Sequence, residues 1–165
     1  MSERRSGYAR TSLRIAKPLA TWFGCGYVPK GPGTAGSIGA VIVGVLLAHY
    51  VGAEPMTFFW LAALFLRPAV WAADKLAEES GNTDPQIVVI DEVIGLWVTV
   101  IGATSLNWKS WLLALLLFRI FDIWKPFPVR RLEKLHGGLG IVMDDVMAGV
   151  YGALVLRAAG WFNLY

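Results

Sequence analysis

Cysteine is almost absent: Cys25 is the only one in 165 residues. A single thiol excludes a disulfide framework and a zinc site built on cysteines. Histidine is nearly as scarce, with His49 and His136 alone, which excludes a His-rich metal centre. Charge is thin as well. Charged residues make up 16% of the chain against 56% hydrophobic, and mean hydropathy is +0.53. That balance is too apolar for an ordinary soluble domain. What the chain has instead is eight tryptophans and eighteen glycines, residues favoured in membrane helices or at their interfaces. Length predicts one domain over residues 1–165. The pattern predicts an all-α fold, a compact bundle of about six to seven helices with several embedded in a membrane. The net charge is only +3, and no nucleic-acid partner is expected.

The few charges are unevenly placed. Arg4, Arg5, Arg10, Arg14 and Lys17 precede the first apolar run, which by the positive-inside tendency places the N-terminus in the cytoplasm. A basic start also reads as a signal peptide, but no small-residue cleavage site follows. Residues 1–11 read as a loose polar segment. Ser12 to Phe23 reads as a short helix, either on the membrane surface or simply packed on its apolar side. Gly24 to Ser37 is rich in glycine and proline and reads as irregular. A Gly-rich loop feeding a helix offers free N–H groups and a positive dipole end, which suits phosphate. Lys30, Thr34 and Ser37 are its polar groups. The alternative is a tight turn with Ser37 as N-cap.

Apolar runs follow at Ile38–Val51 and Met56–Ala73, the second interrupted by Pro68, where a kink is expected. His49 reads as an interfacial residue. Asp74, Lys75, Glu78 and Glu79 read as a solvated helix end. Asn82-Thr83-Asp84-Pro85 reads as a helix start, leaving Asp91 and Glu92 inside an apolar helix. Asp91, Gly95 and Gly102 share one face, where small residues let another helix approach. Asn107 caps a helix from Trp108 to about Trp124, with Arg119 and Asp122 three apart and able to pair. Lys125-Pro126-Phe127-Pro128 breaks it. A basic turn with Arg130, Arg131 and Lys134 follows, then His136-Gly137-Gly138. The last helix is expected to hold Asp144 and Asp145 in its first turns, with Asp145, Gly149 and Gly152 on one face.

Asp91, Glu92, Asp122, Asp144 and Asp145 are thus five acids on three apolar segments. Ionised carboxylates in such surroundings are expensive unless paired or bound to a cation. An all-oxygen donor set predicts a hard ion, most simply Mg²⁺. Magnesium held by a few carboxylates commonly also binds substrate phosphate, for which Lys30, Thr34, Arg119, Lys125 and His136 are suited. The implied reaction is metal-assisted phosphoryl transfer or hydrolysis at a membrane surface.

Three stretches, Pro29 to Ser37, Asp91 to Gly95, and FRIFDIWKPFPVRRLEKLHGGLGIVMDDVMAGVY from Phe118 to Tyr151, resemble the phosphatidylglycerophosphatase A family in order over residues 24–152. The resemblance implies an all-helical membrane enzyme that removes the terminal phosphate of phosphatidylglycerophosphate with Mg²⁺. It supports the five acids as the acidic set, and Lys30, Thr34, Ser37, Arg119, Lys125 and His136 as polar motif positions. Within them, Asp91, Glu92, Asp122, Asp144 and Asp145 are the expected metal ligands. Asp145, Asp122 and Glu92 are the expected catalytic residues, with Asp145 orienting the attacking water. The expected location is the bacterial inner membrane with the active face toward the cytoplasm.

Other routes lack their residues. Cys25 has no arginine six residues on, since position 31 is Gly. No Asp-x-Asp offers an aspartyl nucleophile, no Ser-Gly-His marks the type-2 lipid phosphatases, and the Asp-Gly signature of a CDP-alcohol transferase is missing. A cation transporter using intramembrane carboxylates is the rival class. A helical bundle with self-neutralised ion pairs is the third reading.

Overall fold

A computed structural model describes the backbone of residues 2–165 and the side chains of residues 11–165. Among them every regular element is helical. They are α1 (Ser2–Ala20), α2 (Pro32–Leu46), α3 (Pro55–Ser80), α4 (Ile90–Val100), α5 (Trp108–Trp124), the short α6 (Val129–Leu132) and α7 (Gly138–Trp161). The helix expected at Ser12–Phe23 therefore starts at Ser2, and the polar start is helical rather than loose. The side chains of Arg4, Arg5 and Arg10 lie outside the described residues.

Helix α4 is the axis of the bundle. Nine of its residues are buried, Val93, Ile94, Leu96 and Trp97 among them. Its closest partner is α7, and α2, α3 and α5 pack round it. Small residues permit the α4–α7 approach. A Cβ on Gly149 would strike the Gly95 carbonyl, one on Gly102 the Ala153 carbonyl, and one on Gly152 the Thr99 side chain. The stripe read from the sequence thus lies in the most extensive helix contact of the fold.

Among the described residues, three helices are long and apolar enough to cross a membrane: Pro32–Val51, α3 and α7. Helix α5 is shorter, yet Leu112, Leu116, Ile120 and Ile123 leave an exposed apolar stripe along it. Its start matches expectation: Asn107 Oδ1 accepts from the Lys109 and Ser110 N–H groups. Helix α3 passes through Pro68 without ending, because Ala69, Ala72 and Ala73 are buried against the bundle.

Two starts differ from the sequence reading. Pro32 occupies the first turn of α2, after Gly31 in the left-handed region at φ 71°. Gly33 to Ser37 are therefore helical, and Ser37 lies inside the helix rather than capping it. The Asn82–Pro85 signal opens no helix. Residues 86–89 run as an irregular strip across α2 and the end of α1. The Val89 N–H bonds the Ala20 carbonyl at 2.8 Å, and a Cβ on Gly36 would strike Val89. Helix α4 begins only at Ile90, which puts Asp91 and Glu92 in its first turn.

Candidate active site

The starts of α2, α4 and α7 and the end of α5 enclose an open cavity of about 750 Å³. Five expected site acids line it: Asp91, Glu92, Asp122, Asp144 and Asp145. So do Arg119, Lys125 and His136. Lys30 and Thr34 are exposed beside it on the segment whose Pro29, Gly31 and Gly33 form its wall. Ser37 is elsewhere: it is fully buried, and its hydroxyl donates to the Gly33 carbonyl at 3.0 Å. That bond gives the hydroxyl a structural partner within its own helix.

The five acids divide into two kinds. Asp122 Oδ2 pairs with Arg119 Nη1 at 2.8 Å. Asp144 Oδ2 pairs with Lys125 Nζ at 2.8 Å, and its Oδ1 accepts the Asp145 N–H at 3.0 Å. Asp91, Glu92 and Asp145 instead converge: one carboxylate oxygen from each lies within 4.8 Å of the others. Asp91 Oδ1 and Glu92 Oε2 are buried without a hydrogen-bond partner. Arg119 Nη1 reaches Glu92 only at 4.0 Å. Three carboxylates so close, with two orphaned oxygens, are costly unless a cation lies among them. Burial pushes the Asp91 carboxyl well up from its ordinary range, and the neighbouring Glu92 and Asp145 charges push it the same way. Burial also raises Glu92, with Asp91 and Arg119 opposing and Asp122 adding. These three residues fit a divalent cation that prefers oxygen ligands.

Local structure brings the acids here. The first turn of α4 offers free N–H groups and the positive dipole end, which favours Asp91 and Glu92 at that position. That argument does not reach Asp144 and Asp145. Because α7 starts at Gly138, they lie about two turns in, beyond the range of the dipole effect. They are held by Lys125 and by the close packing of α7 on α4. Gly33 lets the start of α2 approach, since a Cβ there would strike the Glu92 carboxylate.

Lys125 is anchored from both sides. It caps α5 at φ 48°, in the left-handed region, a conformation that non-glycine residues hold only where the surroundings enforce it. Its ammonium meets Asp144 at 2.8 Å and Glu133 at 3.3 Å. Burial works against its charge, but the two carboxylates outweigh burial and raise its pKa.

Sequence reasoning missed Glu133 as a partner, because it lies in a turn dominated by bases. It also took Asp74 for part of a solvated end. Asp74 Oδ1 accepts the Gly138 N–H at 2.7 Å and so caps α7 from α3. No local pattern could reveal that contact between residues 64 apart. Thr83, Asp84 and Gln86 line the cavity too, because the segment read as a helix is an open loop at its edge.

A family model described as Phosphatidylglycerophosphatase A matches residues 18–160. A protein of Bacteroides thetaiotaomicron, provisionally named a phosphatidylinositol-3-phosphatase, is 40% identical over 150 residues, covering 87% of this chain and 92% of its own. The Phosphatidylglycerophosphatase A of Haemophilus influenzae is 37% identical, with 88% of this chain and 89% of its own covered. That of Escherichia coli is 33% identical, with 95% and 92% covered. No solved structure matches. Matched over most of its length by the family model and by curated relatives, the chain belongs to the phosphatidylglycerophosphatase A family of phosphoric monoester hydrolases.

Proposed function

We propose that this protein hydrolyses phosphatidylglycerophosphate to phosphatidylglycerol and phosphate, with Mg²⁺ held by Asp91, Glu92 and Asp145. The observation that carries the metal is the buried triad with its two unpartnered oxygens. When bound, the ion would supply Lewis-acid stabilisation of charge on the phosphoryl oxygens. The remaining work belongs to the chain. Arg119 and Lys125 hold the phosphate and offset its developing charge. Asp145 orients the attacking water through a carboxylate oxygen. Asp122 fixes Arg119, and Asp144 fixes Lys125, so both bases meet the substrate in set positions. Water's oxygen bonds phosphorus, the bond to the glycerol oxygen breaks, and one proton of that water ends on the glycerol oxygen, the other staying on the released phosphate.

The rival transporter reading explains the intramembrane acids but not the two ordered bases beside them. The bacterial relatives and the apolar helices support a reading at the bacterial inner membrane. The distribution of charge supports a cytoplasmic active face. Lys30, Lys125, Arg130, Arg131 and Lys134 lie at the cavity end of the bundle, whereas Lys109 and Arg157 lie on helix ends remote from it. By the positive-inside tendency, such an excess of bases favours the cytoplasmic side.

A second substrate reading, phosphatidylinositol 3-phosphate, is favoured by the name of the Bacteroides relative. Purified protein in detergent micelles decides between them. The expected kcat/KM is at least about tenfold higher for phosphatidylglycerophosphate, on the scale of discrimination by a few polar contacts. A preference for the inositol lipid would overturn the assignment of substrate while leaving the reaction class. Ser37→Ala is expected to change phosphate release by less than about twofold, since a hydroxyl bonded within its own helix is free to do little else. A loss of tenfold or more would mean that the hydroxyl reaches the substrate.

A further inference from the structure

The two most sheltered bases in the cavity are both already engaged. Arg119 pairs with Asp122, and Lys125 pairs with Asp144 and Glu133. Neither base is saturated by these pairs, since a guanidinium carries five N–H donors and an ammonium three, but an entering phosphate monoester must compete with the paired carboxylates for their charge. The three pairs are not equally firm. Those to Asp122 and Asp144 are both 2.8 Å, and both acids sit within long helices. Glu133 is farther, at 3.3 Å, and its side chain is 48% exposed against 7% for Asp144. It follows directly on α6, a helix of only four residues. Lys125 cannot easily swing away to meet a ligand elsewhere, because its left-handed backbone and Asp144 fix it. The partner free to leave is Glu133.

We propose that Glu133 is a stand-in anion. Its carboxylate occupies an outward donor direction of Lys125 and yields it to the phosphate monoester. In doing so it keeps the lysine aimed inward and sets a threshold on binding. A doubly charged phosphate displaces it, whereas a singly charged phosphodiester competes poorly. Glu133 acts through Lys125, as a positioning and specificity-setting residue. This inference rests on the phosphatase reading of the same site.

The test uses Glu133→Gln, which keeps the shape and removes the charge, and Glu133→Asp, which keeps the charge. Glu133→Gln is expected to lower both KM for phosphatidylglycerophosphate and Ki for inorganic phosphate about threefold, as befits a half-exposed pair. Its kcat should change less than KM, and Glu133→Asp should stay near wild type. Unchanged or raised KM and Ki in Glu133→Gln would overturn the proposal, as would an Asp variant that behaves like the Gln variant. A merely structural role would lower kcat and thermal stability together instead. Inorganic phosphate binding is also read from the shift in unfolding temperature, which needs no turnover. A chain inactive on the lipid would overturn the functional reading, while the phosphate titration would still decide the role of Glu133.

Discussion

Asp91→Asn is expected to abolish most phosphate release, by about 100-fold or more, without loss of fold. The lower bound comes from the 10–100-fold effects of residues that merely support a metal ligand. A ligand itself should exceed them. The expectation for stability is the less obvious half. Asp91 Oδ1 has no hydrogen-bond partner, and Asp91 shares its burial with Glu92 and Asp145, whose charges oppose its own. Replacing it by a neutral amide removes repulsion and breaks no ion pair. In EDTA, the unfolding temperature of Asp91→Asn should equal or exceed that of the parent. Asp144→Asn should behave differently, because it leaves Lys125 with only its half-exposed partner Glu133, and it should lose stability as well as activity. Similar unfolding temperatures for the two variants would mean that the acids are not divided as described. Full activity in Asp91→Asn would remove it from the metal site.

Gly149→Val should be strongly damaging although it lies away from the cavity. Any Cβ at position 149 meets the Gly95 carbonyl, and backbone cannot rotate out of the way as a flexible side chain can. Helix α7 must then move off α4. Overpacking of this kind costs about 1–3 kcal/mol and occasionally more. The functional loss should exceed what stability explains. Asp145 lies one turn before Gly149 on the same face of α7, and its carbonyl is itself in the path of a Cβ on Gly95. A shift of about 1 Å at a reacting centre can lower the rate about 100-fold. The check is kcat measured at a temperature where circular dichroism shows the variant folded. Near-parental kcat would show that the small-residue seam does not position Asp145.

Much of this was legible in the sequence, and the exceptions have physical causes. Helix α5 was readable at both ends because its signals are local: Asn107 caps its own next turn, and Lys125-Pro126 stops it. The small-residue stripe on α4 and α7 was readable because helical spacing alone places it. The start at Asn82–Pro85 failed because tertiary contact outweighed local preference. Val89 bonds Ala20 and packs on Gly36, so the segment stays irregular until Ile90. The acids were legible as a set of five but not in their division. The Arg119–Asp122 pair lies within one turn and was visible. The Lys125–Asp144 pair spans 19 residues and depends on how α5 and α7 meet. Ser37 was misread for a related reason: once Pro32 starts α2, the Ser37 hydroxyl finds its acceptor four residues back.

The central claim is that three converging carboxylates hold the metal for a lipid phosphatase. Its most direct test is phosphate release from phosphatidylglycerophosphate by purified protein in detergent, first with Mg²⁺, then with EDTA, then with Mg²⁺ restored. Release should stop with the chelator and return with the ion. Release that continues undiminished in EDTA would contradict the claim, and the triad of Asp91, Glu92 and Asp145 would need another purpose.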